Sequence, residues 1–245
     1  MRAQNLQPRE IEIIIYGKLY LYSVEPPDYE NYDYLSEWKG REIQNLAERK
    51  LILKLAGHPE RTLELGGGFG RITSVLERIS EETYMVDYSS RNLAEAKKRL
   101  TRTNLVQCNF FNLPFSSRFF DLIVMIRVMH HIQNPTRVYN EICRVGQKGA
   151  TVVVSVPYSP LSKIREMKEI EEINNGTGQH RIFAGPIERY LDERFKLEGI
   201  FGTGLFDNRI GRKFNKMSFL SEIDLSTAKL WKLKNNLFLK LKLTE

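Results

Sequence analysis

The residues most able to do chemistry lie close together, in the segment RTLELGGGFGRIT at 61–73 and in the run ETYMVDYSS at 82–90. Gly66, Gly68 and Gly70 let the backbone turn sharply and approach a ligand closely. The helix start behind them offers free amides and the positive end of a helix dipole. Asp87 ends a strand-like run about 20 residues beyond the first of these glycines, where a carboxylate accepts hydrogen bonds from two ribose hydroxyls. It can equally serve as a capping acid ahead of Ser89 and Ser90. Two nucleotide patterns are disfavoured: Arg71 stands where the dinucleotide pattern GxGxxG needs its third glycine, and no GK[ST] follows to make a phosphate loop. His130 and His131 follow a later strand-like run, at the edge where parallel sheets bind ligands. A histidine titrating near neutral pH suits general-base work there, and the alternative is a side chain that holds the loop. His180 and Arg181, in the segment HRIF, can face the far side of such a cleft or lie on a surface loop, and Arg41 can meet a carboxylate or be a solvated arginine at a helix start.

These residues need a scaffold, and the pattern supplies one. Strands are predicted at 61–65, 83–87, 105–109, 121–126 and 151–156, and helices at 71–79, 90–100 and 135–145. A leading helix is predicted at 42–55, where Ile43, Leu46, Ala47, Leu51 and Leu55 fall at helical spacing. Alternation of this kind implies parallel strands with helices on both faces. Ser89 or Ser90 can cap one helix, and Asn134-Pro135 and Gly185-Pro186 each pair a possible cap with proline at the first helical position. Ahead of this core, IEIIIY, Gly17-Lys18 and LYLYS read as a hairpin, followed by a Tyr- and Pro-rich stretch. After it, a lid-like insertion contains the charged run KIREMKEIEEI. A helix from Pro186, a strand near 195–200 and the run LFLKLKL then follow. Leu237, Leu239, Leu241 and Leu243 alternate with other residues, which argues strand. The chain divides into an N-terminal extension or cover, 1–41, and one α/β domain, 42–245. That domain has its core at 61–157, the lid at 158–182 and a C-terminal part at 183–245.

Composition narrows the class. With 245 residues, 42% hydrophobic and 27% charged, the chain reads as globular. No apolar stretch approaches the roughly 20 residues that span a bilayer, and the N-terminus lacks a secretory apolar core, so a cytoplasmic protein without stable membrane insertion is expected. Cys108 and Cys143 are too few for a disulfide framework or a zinc site and read as buried thiols. The formal charge is +7, and residues 207–245 hold nine Lys/Arg against four Asp/Glu. That excess suits RNA, an anionic membrane surface or an acidic substrate, or is a solvated face.

Taken in order over 42–157, the segments ELGGGFG, MVDYSS, NFFNLPF, FDLIVMIRVMHHI and EICRVGQKGA resemble the successive motifs of class I S-adenosylmethionine-dependent methyltransferases. The small-molecule and quinone branch, with its methyltransferase type 11 domain, is the most similar. The resemblance implies a doubly wound, Rossmann-like α/β fold with a seven-stranded sheet in the order 3-2-1-4-5-7-6, its last strand antiparallel, and S-adenosylmethionine as cofactor. By that likeness Glu64 lies near the methionine amino end, Gly66, Gly68 and Gly70 form the cofactor turn, Asp87 takes the ribose and Tyr88 packs on the adenine. Asn109 stands where the family often has the aspartate that reads the adenine amino group, and the Phe110 amide donates to an adenine ring nitrogen. His131, with His130 beside it, is the candidate general base, and no metal is implied. The acceptor class implied is a small molecule or lipid-like quinone, with RNA as the alternative. A protein that binds the cofactor without catalysis and a dinucleotide oxidoreductase are the rival functions. The cysteine-nucleophile and [ND]PP[YF] motifs of base methylation are missing. Lys240 and Lys242 sit oddly in a strand destined for the sheet interior, so that face must be partly open or the lysine stems must snorkel.

Overall fold

A computed structural model describes residues 10–15, 18–23, 33–129, 132, 135–158, 187–205 and 217–245. Strands β1 (Glu10–Ile15) and β2 (Lys18–Ser23) form an antiparallel hairpin in which Ile15 pairs with Lys18, so Lys18 belongs to the strand rather than to the turn. The main sheet contains β3 (Arg61–Leu65), β4 (Glu82–Asp87), β5 (Thr103–Gln107), β6 (Phe120–Met125), β7 (Gly146–Pro157), β8 (Phe195–Thr203) and β9 (Asn236–Leu243). Its order is β5-β4-β3-β6-β7-β9-β8. Numbered within the sheet this is 3-2-1-4-5-7-6, with β9 antiparallel to both neighbours, as the resemblance implies.

The strands alternate their side chains between two apolar layers, as a period of two requires. Leu63, Leu65, Ile123, Met125, Val152 and Val154 face the layer completed by helix α4 (Pro135–Val145), through Val138, Tyr139 and Ile142. Leu122, Val124, Val153 and Phe238 face the other layer. There they meet Leu51, Ile52 and Leu55 of α1 (Glu42–Ala56), Leu76 of the short α2 (Thr73–Leu76) and Leu225 of α5 (Met217–Ser226). Helix α3 (Ser90–Lys97) covers Met85 through Ala96. Burial on both faces explains why the central strands read as near-continuous apolar runs.

Several boundaries differ from the sequence reading for local reasons. The helix expected at 71–79 is a true α-helix only over Thr73–Leu76 and loosens into turns up to Ser80. Strand β5 begins and ends two residues earlier than expected, because Asn109 already forms a turn, its Oδ1 accepting the Phe111 N–H at 2.9 Å. Strand β7 begins directly behind α4, at Gly146, where a Cβ would lie 2.8 Å from the Ile142 carbonyl oxygen. The helix expected from Pro186 is one 3-10 turn, Ile187–Tyr190. Cys108 and Cys143 are half-buried rather than buried, and burial still pushes each thiol up to about 11. Lys240 and Lys242 are also half-buried, and Lys240 reaches Glu198 at 3.4 Å, so that face of β9 is partly open. Among the described residues no helix is long and apolar enough to cross a membrane.

Candidate functional site

Strand order reverses between β3 and β6, and such a switch point opens a crevice at the carboxyl ends of the strands. The glycine turn fills the mouth of that crevice. Gly66, Gly68 and Gly70 have φ of 69°, 58° and 80°. The Gly66 and Gly67 amides both donate to the Val86 carbonyl, at 2.7 and 3.2 Å, which ties the turn to the end of β4. At Gly68 the positive φ disfavours any side chain, and an added Cβ would lie 2.9 Å from Cε1 of Tyr34. Tyr34 also packs on Phe69, ring centroids 5.6 Å apart.

Asp87, at the end of β4, is buried against this turn. Its Oδ2 accepts the Gly68 N–H at 2.9 Å, and its Oδ1 accepts the Ser89 N–H at 2.9 Å and Asn92 Nδ2 at 3.4 Å. Ser89 caps α3, its hydroxyl accepting the Asn92 N–H at 3.2 Å. The carboxylate therefore joins the glycine turn to the start of α3. Of the two roles read from the sequence, the structure shows Asp87 accepting N–H groups ahead of α3, with about three of a carboxylate's roughly four acceptor sites used by Gly68, Ser89 and Asn92.

Glu64 lies inside, on β3, and takes a short hydrogen bond from the Thr73 hydroxyl. Burial raises its carboxyl to about 7; the Thr73 bond and the Arg71 charge oppose the rise, and the Asp87 charge adds to it. On the neighbouring loops, half-buried Tyr88 directly follows Asp87, and its carbonyl accepts from Gln107 Nε2 at 3.0 Å. Cys108 N–H donates to the Asp87 carbonyl at 3.3 Å, which keeps exposed Asn109 and half-buried Phe110 beside the end of β4. The structure thus gathers Glu64, the three glycines, Asp87, Tyr88, Asn109 and Phe110 on one edge. Buried Met129 and Ile132 anchor the loop after β6, the Ile132 N–H meeting the Met129 carbonyl at 3.1 Å. His130 and His131 lie outside the described residues, as do His180, Arg181 and all of the lid except Tyr158.

Beside the turn sits a cluster that motif reading missed. Trp38, in a 3-10 turn ahead of α1, is buried with the Arg71 guanidinium 3.7 Å from its ring centroid and those of Arg127 and Arg41 at 5.2 and 5.9 Å. Wholly buried Glu48 of α1 holds two of these cations: Arg71 Nη2 at 2.7 Å and Arg127 Nη2 at 2.8 Å. Burial works to raise the Glu48 carboxyl, but the Arg127 and Arg71 charges outweigh it and hold it below the usual range. Arg127 sits at φ 61°, and its N–H donates to Ser155 Oγ at 2.8 Å. A left-handed conformation in a residue other than glycine costs about 1–3 kcal/mol, so the surroundings impose it. The Arg71 that broke the glycine pattern thus serves this cluster. Glu48 left one trace in the sequence: it lies three residues before Leu51 and four before Ile52, on the helix face that is buried. Among the described residues no group of three His, Cys, Asp or Glu can hold a metal.

Residues 63–154 match the family described as a methyltransferase domain. The chain is 26% identical over 198 residues to the ubiquinone/menaquinone biosynthesis C-methyltransferase of Vibrio vulnificus, covering 72% of this chain and 76% of that protein. It is 31% identical over 124 residues to the demethylmenaquinone methyltransferase of Thermotoga maritima, covering 49% and 51%. Among solved structures, an S-adenosylmethionine-dependent methyltransferase of Thermotoga maritima superposes with a TM-score of 0.63 at 16% identity, over 87% of this chain and 95% of that one. At that identity it speaks to the fold alone.

Proposed function

The chain is a class I S-adenosylmethionine-dependent methyltransferase, and we propose that its acceptor is a small, quinone-like molecule. The observation that carries the cofactor side is the Asp87 carboxylate held against the bare backbone of Gly68 at a sheet switch point. The residues fit the cofactor: at Gly68 the positive φ and the neighbouring Tyr34 ring exclude a side chain, and the Asp87 carboxylate stands beside that turn at the end of β4 as the ribose acceptor. Trp38 Nε1 is buried without a partner among the described residues, and we assign it, with Arg41, to the methionine carboxylate. Glu64 takes the amino end, Tyr88 packs on the adenine, and Asn109 and the Phe110 amide meet its edge.

S-adenosylmethionine, when bound, supplies a methyl group already activated on a positively charged sulfur. The protein's share is to align an acceptor with it, exclude water and take one proton. His131, with His130 beside it, is our candidate for the proton. The quinone-like acceptor draws its support from the two relatives, whose names state quinone methylation.

The test uses methyl-labelled cofactor with the purified protein and a cell extract. We expect label in the solvent-extractable fraction and on a short-chain demethylated quinone analogue, and S-adenosylhomocysteine should raise the melting temperature where NAD does not. Label that is sensitive to ribonuclease would replace the quinone-like acceptor by RNA. Cofactor binding with no transfer to any fraction would make the protein a non-catalytic binder.

A further inference from the structure

The turn between α5 and β9 is built unlike an ordinary surface loop. Lys229, Leu230, Lys232 and Leu233 are exposed in succession around half-buried Trp231, with Leu230 at 56% and Leu233 at 61%. Residues 231–233 form one 3-10 turn, and the Leu233 N–H meets the Leu230 carbonyl at 3.0 Å. Leu230 caps this turn at φ −83° and ψ 47°, so two exposed leucines bracket Trp231. Immediately behind them Lys234 is wholly buried. Its Nζ donates to Asp224 Oδ1 at 2.6 Å, to the Asp224 carbonyl at 3.0 Å and to Thr227 Oγ1 at 2.8 Å. Asp224 in turn accepts the Gly204 and Leu205 amides at 2.8 and 3.1 Å. A buried ion pair adds little net stability once desolvation is counted. What this one does is hold two apolar side chains outward in a fixed place.

That place is the working edge of the sheet. The Tyr158 N–H, just past the carboxyl end of β7, donates to the Asn235 carbonyl at 3.0 Å, and the Tyr158 ring meets Trp231 edge-on at 5.6 Å. Leu205, 38% exposed, lies next to it, because Asn235 bonds to the carbonyls of Thr203 and Gly204. The charge around the turn is positive. Exposed Lys229 and Lys232 carry it.

We propose that residues 229–233 dock the protein reversibly on an anionic membrane surface, and this rests on the lipid-like acceptor proposed above. Leu230 and Leu233 enter the acyl boundary, Trp231 lies at headgroup level, and Lys229 and Lys232 meet lipid phosphates. The crevice is thereby presented to an acceptor dissolved in the bilayer.

The test is co-sedimentation of the full chain with vesicles of phosphatidylcholine containing about one-third phosphatidylglycerol, against phosphatidylcholine alone. We expect binding to the anionic vesicles only. The Lys229→Ala/Lys232→Ala double variant should weaken it about 30-fold, at roughly fivefold per lysine. Leu230→Ser/Leu233→Ser should weaken it at least tenfold. Both variants change exposed side chains, so an unchanged melting temperature certifies the fold. Equal binding to both vesicle types, or wild-type binding by the variants, overturns the proposal. So does a sedimenting dimer that the leucine variant converts to monomer, or RNA competing with the vesicles for the turn, since a second copy or RNA then owns the surface. Turnover of the water-soluble quinone analogue without vesicle binding sinks the anchor alone. Vesicle binding without quinone turnover sinks the acceptor reading and leaves the anchor standing.

Discussion

The glycine turn and the Trp38 cluster flank the same crevice, yet opposite means build them. The turn is backbone: three residues at positive φ, their amides spent on the Val86 carbonyl, the Asp87 carboxylate and the Gly67 carbonyl. The cluster is side chain: one indole and one carboxylate among arginines drawn from before α1, from the exit of the turn and from the loop after β6. A backbone site is pre-organised and leaves room for a ligand. A side-chain cluster at this depth fills its own space and fixes the walls. Under the proposed function the difference leaves positioning to Glu48, Arg71 and Arg127 and binding to the turn, joined from the cluster by Trp38 and Arg41, and four expected outcomes test that division.

The largest concerns Glu48. Glu48→Ala leaves Arg71 and Arg127 without their carboxylate, and breaking a buried pair in this way costs about 3–5 kcal/mol. Chemical denaturation should read that loss, and a loss below about 1 kcal/mol would mean the cluster behaves as a solvated surface network. Glu64 comes next. In the folded protein its carboxyl keeps a proton up to about 7, whereas its ordinary value is 4.5. The proton therefore favours the folded state. This contribution is complete below 4.5 and is lost as pH rises through about 7, to the extent of roughly 3 kcal/mol at most. Without cofactor, stability should fall over that window, and Glu64→Gln should flatten the profile; an unchanged slope would show that another group sets it.

Asp87→Ala should weaken S-adenosylhomocysteine binding by roughly 1.5–3 kcal/mol in calorimetry, the worth of hydrogen bonds to a charged group. Parental affinity in that variant would reduce Asp87 to a tie between turn and helix. Smallest is Ser89→Ala, which removes the cap of α3 and should cost about 1 kcal/mol of stability with little change in affinity. A larger effect on affinity than on stability would place Ser89 in the binding site.

The same contrast explains what the sequence disclosed. Runs such as FDLIVM and TVVVSV announce buried strands by themselves, and Gly66, Gly68 and Asp87 announce a turn and an acceptor through local spacing. The order of the sheet came from resemblance and is what the structure shows. Helix length after the turn was overestimated, because the pattern around Ile72, Val75 and Leu76 is helical while only Thr73–Leu76 closes α-helical bonds. Trp38, Glu48, Arg71 and Arg127 were invisible as a group, since nothing local links residues that meet only after four segments pack. Asn109 looked like an adenine contact, and its Oδ1 is also a turn acceptor for Phe111, which spacing does not reveal.

Strand β9 has a consequence for the order of events in the making of this protein. It is inserted between β7 and β8, and among the described residues β8 has no other partner in the sheet. On the ribosome β8 emerges first and must wait, its backbone unpaired, until β9 is released to fill the gap. The first five strands of the sheet can align as they appear, whereas the last two lock together, late, through contacts distant in sequence. During that interval the half-made sheet presents the edge of β7 to the cell, and the lysines at 240 and 242 arrive with the strand that finally covers it.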